Sequence, residues 1–135
     1  MIELLRRPIG GRDVTVVCTE RSDGDVHPLR VPWRDLRERQ RTTTGRTWAM
    51  LEQVHGADVV DHGPEEARDA GPVIGVGDVL VAGAGQTVAI WAADCAPLVL
   101  IDGNGLIVGC HAGWRGLAAG VIDAARRAPG TSRSS

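Results

Sequence analysis

The stretch GLIVGCHAGWRGLAAGVIDAARR, Gly105 to Arg127, decides the fold. Its first six residues, Gly105 to Cys110, form a short apolar run of the kind that makes a buried strand. From Leu117 onward the pattern changes. Leu117, Val121 and Ala124 share one helical face, and Arg126 and Arg127 complement the negative end of the helix dipole. The helix is therefore expected over Leu117 to Arg127, with Pro129-Gly130 as its stop. Between strand and helix stand His111 and then Gly113-Trp114-Arg115-Gly116, which is more chemistry than a turn needs. Upstream, Asp102-Gly103-Asn104-Gly105 has hairpin-turn composition, because Gly and Asn tolerate positive φ. Pro97 to Asp102 is thus expected to pair back onto Gly105 to Cys110.

Working outward, Val14 to Cys18, Thr47 to Gln53, Asp78 to Ala82 and Thr87 to Ala92 carry the apolar, β-branched content of strands. In the second of these Trp48, Met50 and Glu52 lie on one side. Chain beyond Gly56 resumes extended over Ala57 to Asp61. Pro32 suits the start of a helix over Trp33 to Arg41, with Trp33, Leu36 and Gln40 on one face and Thr42 to Gly45 ending it. TERSDGDVHP, Thr19 to Pro28, and His62 to Pro72 read as surface loops. The expected architecture is a mostly antiparallel sheet followed by a helix, hence an α+β or layered α/β class. One domain over residues 1–127 and a tail, 128–135, disordered by composition, complete the expectation.

Composition narrows the function. The chain has 135 residues, 43% hydrophobic and 24% charged, with a net charge of −2, so neither nucleic acid nor an anionic membrane is implied as partner. No apolar window reaches a membrane span, and the N-terminal MIELLRRPIGG is too short and too acidic at its centre for a signal peptide. Every cationic side chain is Arg, and Phe and Tyr are absent, so the core must rest on aliphatic residues and four Trp. Three cysteines without a short-spaced pair argue against a disulfide framework and for a reducing cytoplasm.

Three residues stand at the ends of apolar segments: His55 in QVHG, Cys95 in ADCAP and His111 in HAGW. Side chains there are aimed into loops, where sites are built. Two imidazoles and a thiol suit a borderline-soft divalent ion such as zinc, with a fourth position open. Their spacing matches no metal motif, so a buried Cys with two hydrogen-bonded loop histidines stands beside the metal reading. Neighbours in a strand face opposite ways, so a functional His111 places Cys110 in the core, and Cys18 is expected to pack as well. His27 and His62 lie in polar loops and need no role. Arg115 offers a fork of donors for a phosphate or carboxylate, or else pairs with Asp94 to close the turn.

QVHGADVV (Gln53 to Val60), AADCAPLVL (Ala92 to Leu100) and HAGWRGLAAGV (His111 to Val121) resemble the three signature blocks of the laccase-domain or multicopper polyphenol oxidase family. Its members are described as purine nucleoside phosphorylases with adenosine deaminase activity, and a bacterial branch as peptidoglycan-editing factor. The resemblance covers residues 47–125. It implies an α/β/β/α sandwich, a metal held by His55, Cys95 and His111 (zinc, or copper by the older name), and a purine nucleoside with phosphate as substrates. Beside what the resemblance implies, Cys95 and Asp94 are the candidate catalytic residues, with Asp94 orienting a metal ligand or moving a proton, and Arg115 (for the anion) and Gln53 (for base or ribose) are the candidate substrate-binding residues. A metal-free Cys/His enzyme and an inactive shortened member are the alternatives. Copper phenol oxidation is disfavoured, because a dioxygen-reducing laccase needs several coppers and ligands for one ion are visible. Family members carry a downstream Ile-Gly-Pro segment and a late Arg-containing segment that this chain lacks, and TERSDGD offers only Arg21 and Gly24 where the family has an Arg-x-Gly-Gly loop. The chain is therefore expected to be truncated on its C-terminal side.

Overall fold

A computed structural model describes residues 1–63 and 71–133. The strands are β1 (Ile2–Ile9), β2 (Arg12–Cys18), β3 (Met50–Glu52), β4 (Val59–Asp61), β5 (Val73–Val76), β6 (Val79–Ala82), β7 (Ala96–Ile101) and β8 (Ile107–Ala112), and the helices are α1 (Trp33–Thr44), α2 (Trp114–Ala118) and α3 (Val121–Arg133). A four-stranded sheet runs in the order β4-β6-β8-β7, β3 pairs with β5, and β1 with β2 forms a separate hairpin.

Alternation along the central strands sets the layers. Val79 and Val81 of β6, with Val108, Cys110 and Ala112 of β8, pack on Val121, Ala125 and Ala128 of α3. Leu80, on the other face of β6, meets Ala49 and Leu51. Met50 points away from that contact and packs on Leu36 of α1. The order is thus α3, four-stranded sheet, β3-β5 pair, α1, an α/β/β/α sandwich. With layers on both faces, β6 is buried at every residue, which explains why VLVA is apolar without alternation. Leu36, Met50 and Leu80 are fully buried, and each such side chain contributes roughly 1.5–3 kcal/mol.

The hairpin of β7 and β8 forms as its turn chemistry requires, from Ala96↔Ala112 to Ile101↔Ile107. The Asp102 carboxylate accepts from the Asn104 and Leu106 N–H groups and holds that turn. Helix α1 buries Leu36 and Gln40, leaves Trp33 exposed at its first residue and ends on Gly45 in the left-handed conformation (φ 76°).

Several expectations are corrected. Antiparallel pairs outnumber parallel ones three to two among the described residues, as expected, but β3-β5 and β4-β6 are parallel. Of the four strands in these parallel pairs only β6 is buried at every residue, while β4 and β5 keep exposed residues at their ends. Thr87 to Ala92 is not a strand: the structure gives it one bridge, Ala49↔Val88. Gly120, at φ 85°, separates α2 from α3, so the expected single helix is two. Pro129-Gly130 does not end α3, which continues to Arg133; proline's fixed φ is itself helical. Strand β1 went unforeseen, although Gly10-Gly11, both at positive φ, is a two-residue hairpin turn. Cys18 is exposed rather than packed, at the last residue of a hairpin that pairs with no other strand among the described residues. His62 is buried, not a loop residue in solvent. Residues 64–70 of the expected surface loop, and 134–135 of the tail, lie outside the described residues.

Candidate metal centre

The site lies where β3 and β8 end and β6 and β7 begin. His55 follows β3, Cys95 immediately precedes β7, and His111 is the penultimate residue of β8. One ligand atom from each lies within 4.8 Å of the others. Donors sharing one tetrahedral zinc stand about 3.5 Å apart, a spacing that falls within the 4.8 Å spread of this cluster. The rings of His55 and His111 meet edge to face, with centroids 5.1 Å apart. His111 is buried, Cys95 half-buried and His55 exposed, so the cluster opens to solvent on one side. The donor set fits a metal in a second way. A Cβ on Gly113 would lie 2.9 Å from the Cys95 sulfur and 3.2 Å from Cδ2 of His55, so glycine is what leaves the space around the ligands. Cys110 faces the core opposite His111, as strand alternation requires, and burial, then the nearby Asp78 carboxylate, pushes its thiol up.

Asp78 is the residue at this site that the sequence did not reveal. It is fully buried. Its Oδ1 accepts from the Val54 and Gly56 N–H groups at 3.1 and 2.9 Å, and its Oδ2 from that of His55 at 3.0 Å. Oδ2 also lies 2.7 Å from Nδ1 of His111. Burial alone would raise this carboxyl; the His111 ring and the three backbone N–H groups outweigh it and hold it below the usual carboxylate range. The three amides bind the 54–56 turn around one point and hold His55 at φ 62°, the single non-glycine at positive φ among the described residues. Such a conformation persists only where surrounding contacts enforce it.

The remaining expected residues are placed as follows. Gln53 is buried, and both ends of its amide are engaged by one backbone: Nε2 donates to the Trp91 carbonyl at 2.7 Å and Oε1 accepts from the Trp91 N–H at 3.1 Å. Trp91 in turn lies nearly parallel to the His111 ring, with centroids 6.3 Å apart, and His27 packs on Trp91 at 4.4 Å. His27, given no role from sequence, thus buttresses the site. Arg115 is exposed and lies over the ring of Trp114, 5.1 Å from its centroid. Asp94 is exposed beside Cys95, and no ion pair joins it to Arg115 among the described residues.

These features define a small α/β/β/α domain with a Cys-His-His cluster at one end of the space between its sheets. A family model for multi-copper polyphenol oxidoreductase laccase proteins matches residues 25–133. The chain belongs to that family. It is 39% identical over 80 residues to the purine nucleoside phosphorylase YlmD of Geobacillus stearothermophilus, covering 55% of this chain and 29% of that protein. It is 37% identical over 97 residues to the purine nucleoside phosphorylase PA4543 of Pseudomonas aeruginosa (67% and 37%), and 45% identical over 80 residues to SCO2081 of Streptomyces coelicolor, of the same name (58% and 32%). Among solved structures it resembles protein NMB0706 of Neisseria meningitidis, with a TM-score of 0.57 and 32% identity over 70% of this chain and 38% of the other. The Geobacillus stearothermophilus YlmD structure gives a TM-score of 0.53 at 30% identity, over 67% and 38%. The chain spans about a third of the length of these curated relatives. Among the described residues no helix is long and apolar enough to cross a membrane.

Proposed function

We propose that this chain carries the metal centre of a purine nucleoside phosphorylase that also deaminates adenosine. The observation that carries the reading is the convergence of His55, Cys95 and His111 to within 4.8 Å from three separate segments. The names of the relatives supply the substrate class. A set of two imidazoles and one thiolate favours zinc, with copper as the other ion that such donors accept. When bound, the ion would supply Lewis acidity and make water reactive near neutral pH.

The chain's own residues divide the remaining work. Arg115, exposed at the start of α2, offers bidentate hydrogen bonds to a phosphate anion arriving from solvent. Asp94, exposed beside Cys95, moves a proton to or from the purine. Gln53 acts on the substrate side through Trp91, whose backbone it holds. Cys95 serves as metal ligand. Substrate enters from the side on which His55 is exposed. The ligands visible here serve one ion, which disfavours dioxygen-reducing phenol oxidation.

Incubation of zinc-loaded protein with inosine and phosphate, followed by chromatography, tests the proposal: free hypoxanthine and ribose 1-phosphate are expected. The same assay with adenosine should give inosine as well. Cys95→Ala should abolish both activities and the stoichiometric zinc. Absence of turnover in zinc-loaded protein would overturn the activity. Turnover by metal-free protein that alkylation of Cys95 stops would instead assign that thiol as a nucleophile.

A further inference from the structure

We propose that Asp78 is the positioning residue of this centre: its buried carboxylate holds His111 as the Nδ1–H tautomer, leaving Nε2 as the ligand atom, and keeps the His55 backbone in its left-handed turn, so that the donors are arrayed before an ion arrives. The inference deepens the metal reading and rests on it for the purpose of the array.

The argument starts from donor counting. Three backbone N–H groups already point at the Asp78 oxygens, and each can only donate. A carboxylate so surrounded is an acceptor toward its fourth partner, Nδ1 of His111 at 2.7 Å. A neutral imidazole carries a single N–H, so placing it on Nδ1 leaves a lone pair on Nε2. Strand pairing makes the contact reproducible. The His111 N–H also donates to the Asp78 carbonyl at 2.8 Å, so backbone and side chain of these two residues join at once. Trp91 lies along one side of the ring and His55 meets it edge-on, which limits its rotation. Through the same four oxygen contacts Asp78 sets the backbone of the first histidine and the tautomer of the second. The orienting task expected of Asp94 therefore falls to Asp78, since Asp94 is exposed.

The tautomer is measurable without turnover. Long-range proton–nitrogen NMR spectra of metal-free protein labelled with nitrogen-15 histidine, recorded above the ordinary histidine titration range, should show His111 as Nδ1–H. Its signals are assigned by their loss in His111→Gln. An Nε2–H pattern in the unmodified protein would overturn the proposal, whatever the variants do. In Asp78→Asn the side-chain amide must present N–H groups where acceptors stood. The Nδ1–H pattern should be lost, and zinc affinity, read by competition with a chromophoric chelator, should fall about 10- to 100-fold. A folded Asp78→Asn that keeps both tautomer and affinity would also overturn it. A protein that shows the Nδ1–H form and binds zinc yet cleaves no nucleoside refutes the activity and leaves Asp78 its role.

Discussion

Gly113 stands directly against Cys95: a methyl group in place of its α-hydrogen would sit 2.9 Å from the sulfur. The Gly113 backbone, at φ −93° and ψ 174°, is one that any residue adopts. Gly113→Ala is therefore expected to act through the contact alone. The sulfur or the His55 ring must move, and zinc affinity should drop by about tenfold or more, while the melting temperature changes little. Chelator competition and thermal melting of the metal-free protein together check this. An unchanged affinity would show that the sulfur has room to spare.

His55 presents the opposite case, strain in the backbone without crowding. At φ 62° it carries a cost that glycine avoids. His55→Gly and His55→Ala should both lose the metal. The glycine variant should nevertheless be the more stable of the two by about 1 kcal/mol in urea unfolding. Equal stabilities would mean that the turn at residues 54–56 does not keep its conformation in solution.

The two glycines of the first hairpin separate strain from contact. Both have positive φ, but a Cβ on Gly10 would meet the Asn104 backbone at 2.5 Å, whereas one on Gly11 meets nothing within 4 Å. Backbone atoms cannot yield as a flexible side chain does. Gly11→Ala should cost about 1 kcal/mol, and Gly10→Ala about 2–3 kcal/mol, at the upper end of ordinary single substitutions. Hydrogen exchange should show β1 and β2 released in the latter alone.

Gln53→Leu removes a pair of hydrogen bonds at nearly constant volume. It leaves the Trp91 N–H and carbonyl without the partners they have at 3.1 and 2.7 Å. A loss of about 2–3 kcal/mol is expected, mainly from the unsatisfied backbone groups. Because Trp91 lies along His111, the variant should also bind zinc more weakly, whereas an exposed change such as Leu29→Ala should not. Equal zinc affinity in the two variants would detach Trp91 from the centre.

How far the sequence foretold these relationships depends on how local each one is. Helix α1 was readable because Leu36 and Gln40 are four residues apart and Gly45 supplies a left-handed cap. The β7-β8 hairpin was readable because its turn chemistry lies within residues 102–105. The partners of β3 and β4 were not, since parallel pairing joins segments with no turn between them to announce it. Thr87 to Ala92 has strand composition, yet its backbone is satisfied partly by a side chain, Gln53, that no local pattern reveals. For the centre, resemblance rather than spacing united His55, Cys95 and His111. Asp78 stayed hidden because at the head of DVLVA it looks like an ordinary acid before a strand. Only folding brings the turn at 54–56 around it.

Strand β8 is hydrogen-bonded on both sides, by β6 and by β7, and it carries a thiol and an imidazole next to each other on opposite faces. Inserting or deleting one residue between the Asp102 turn and Cys110 would exchange those faces and offer Cys110 to the cluster while His111 turned into the aliphatic core. The chemistry proposed for the centre is thus written in the phase of one strand: length changes there should be as damaging as loss of a candidate ligand, even though every candidate ligand would still be encoded.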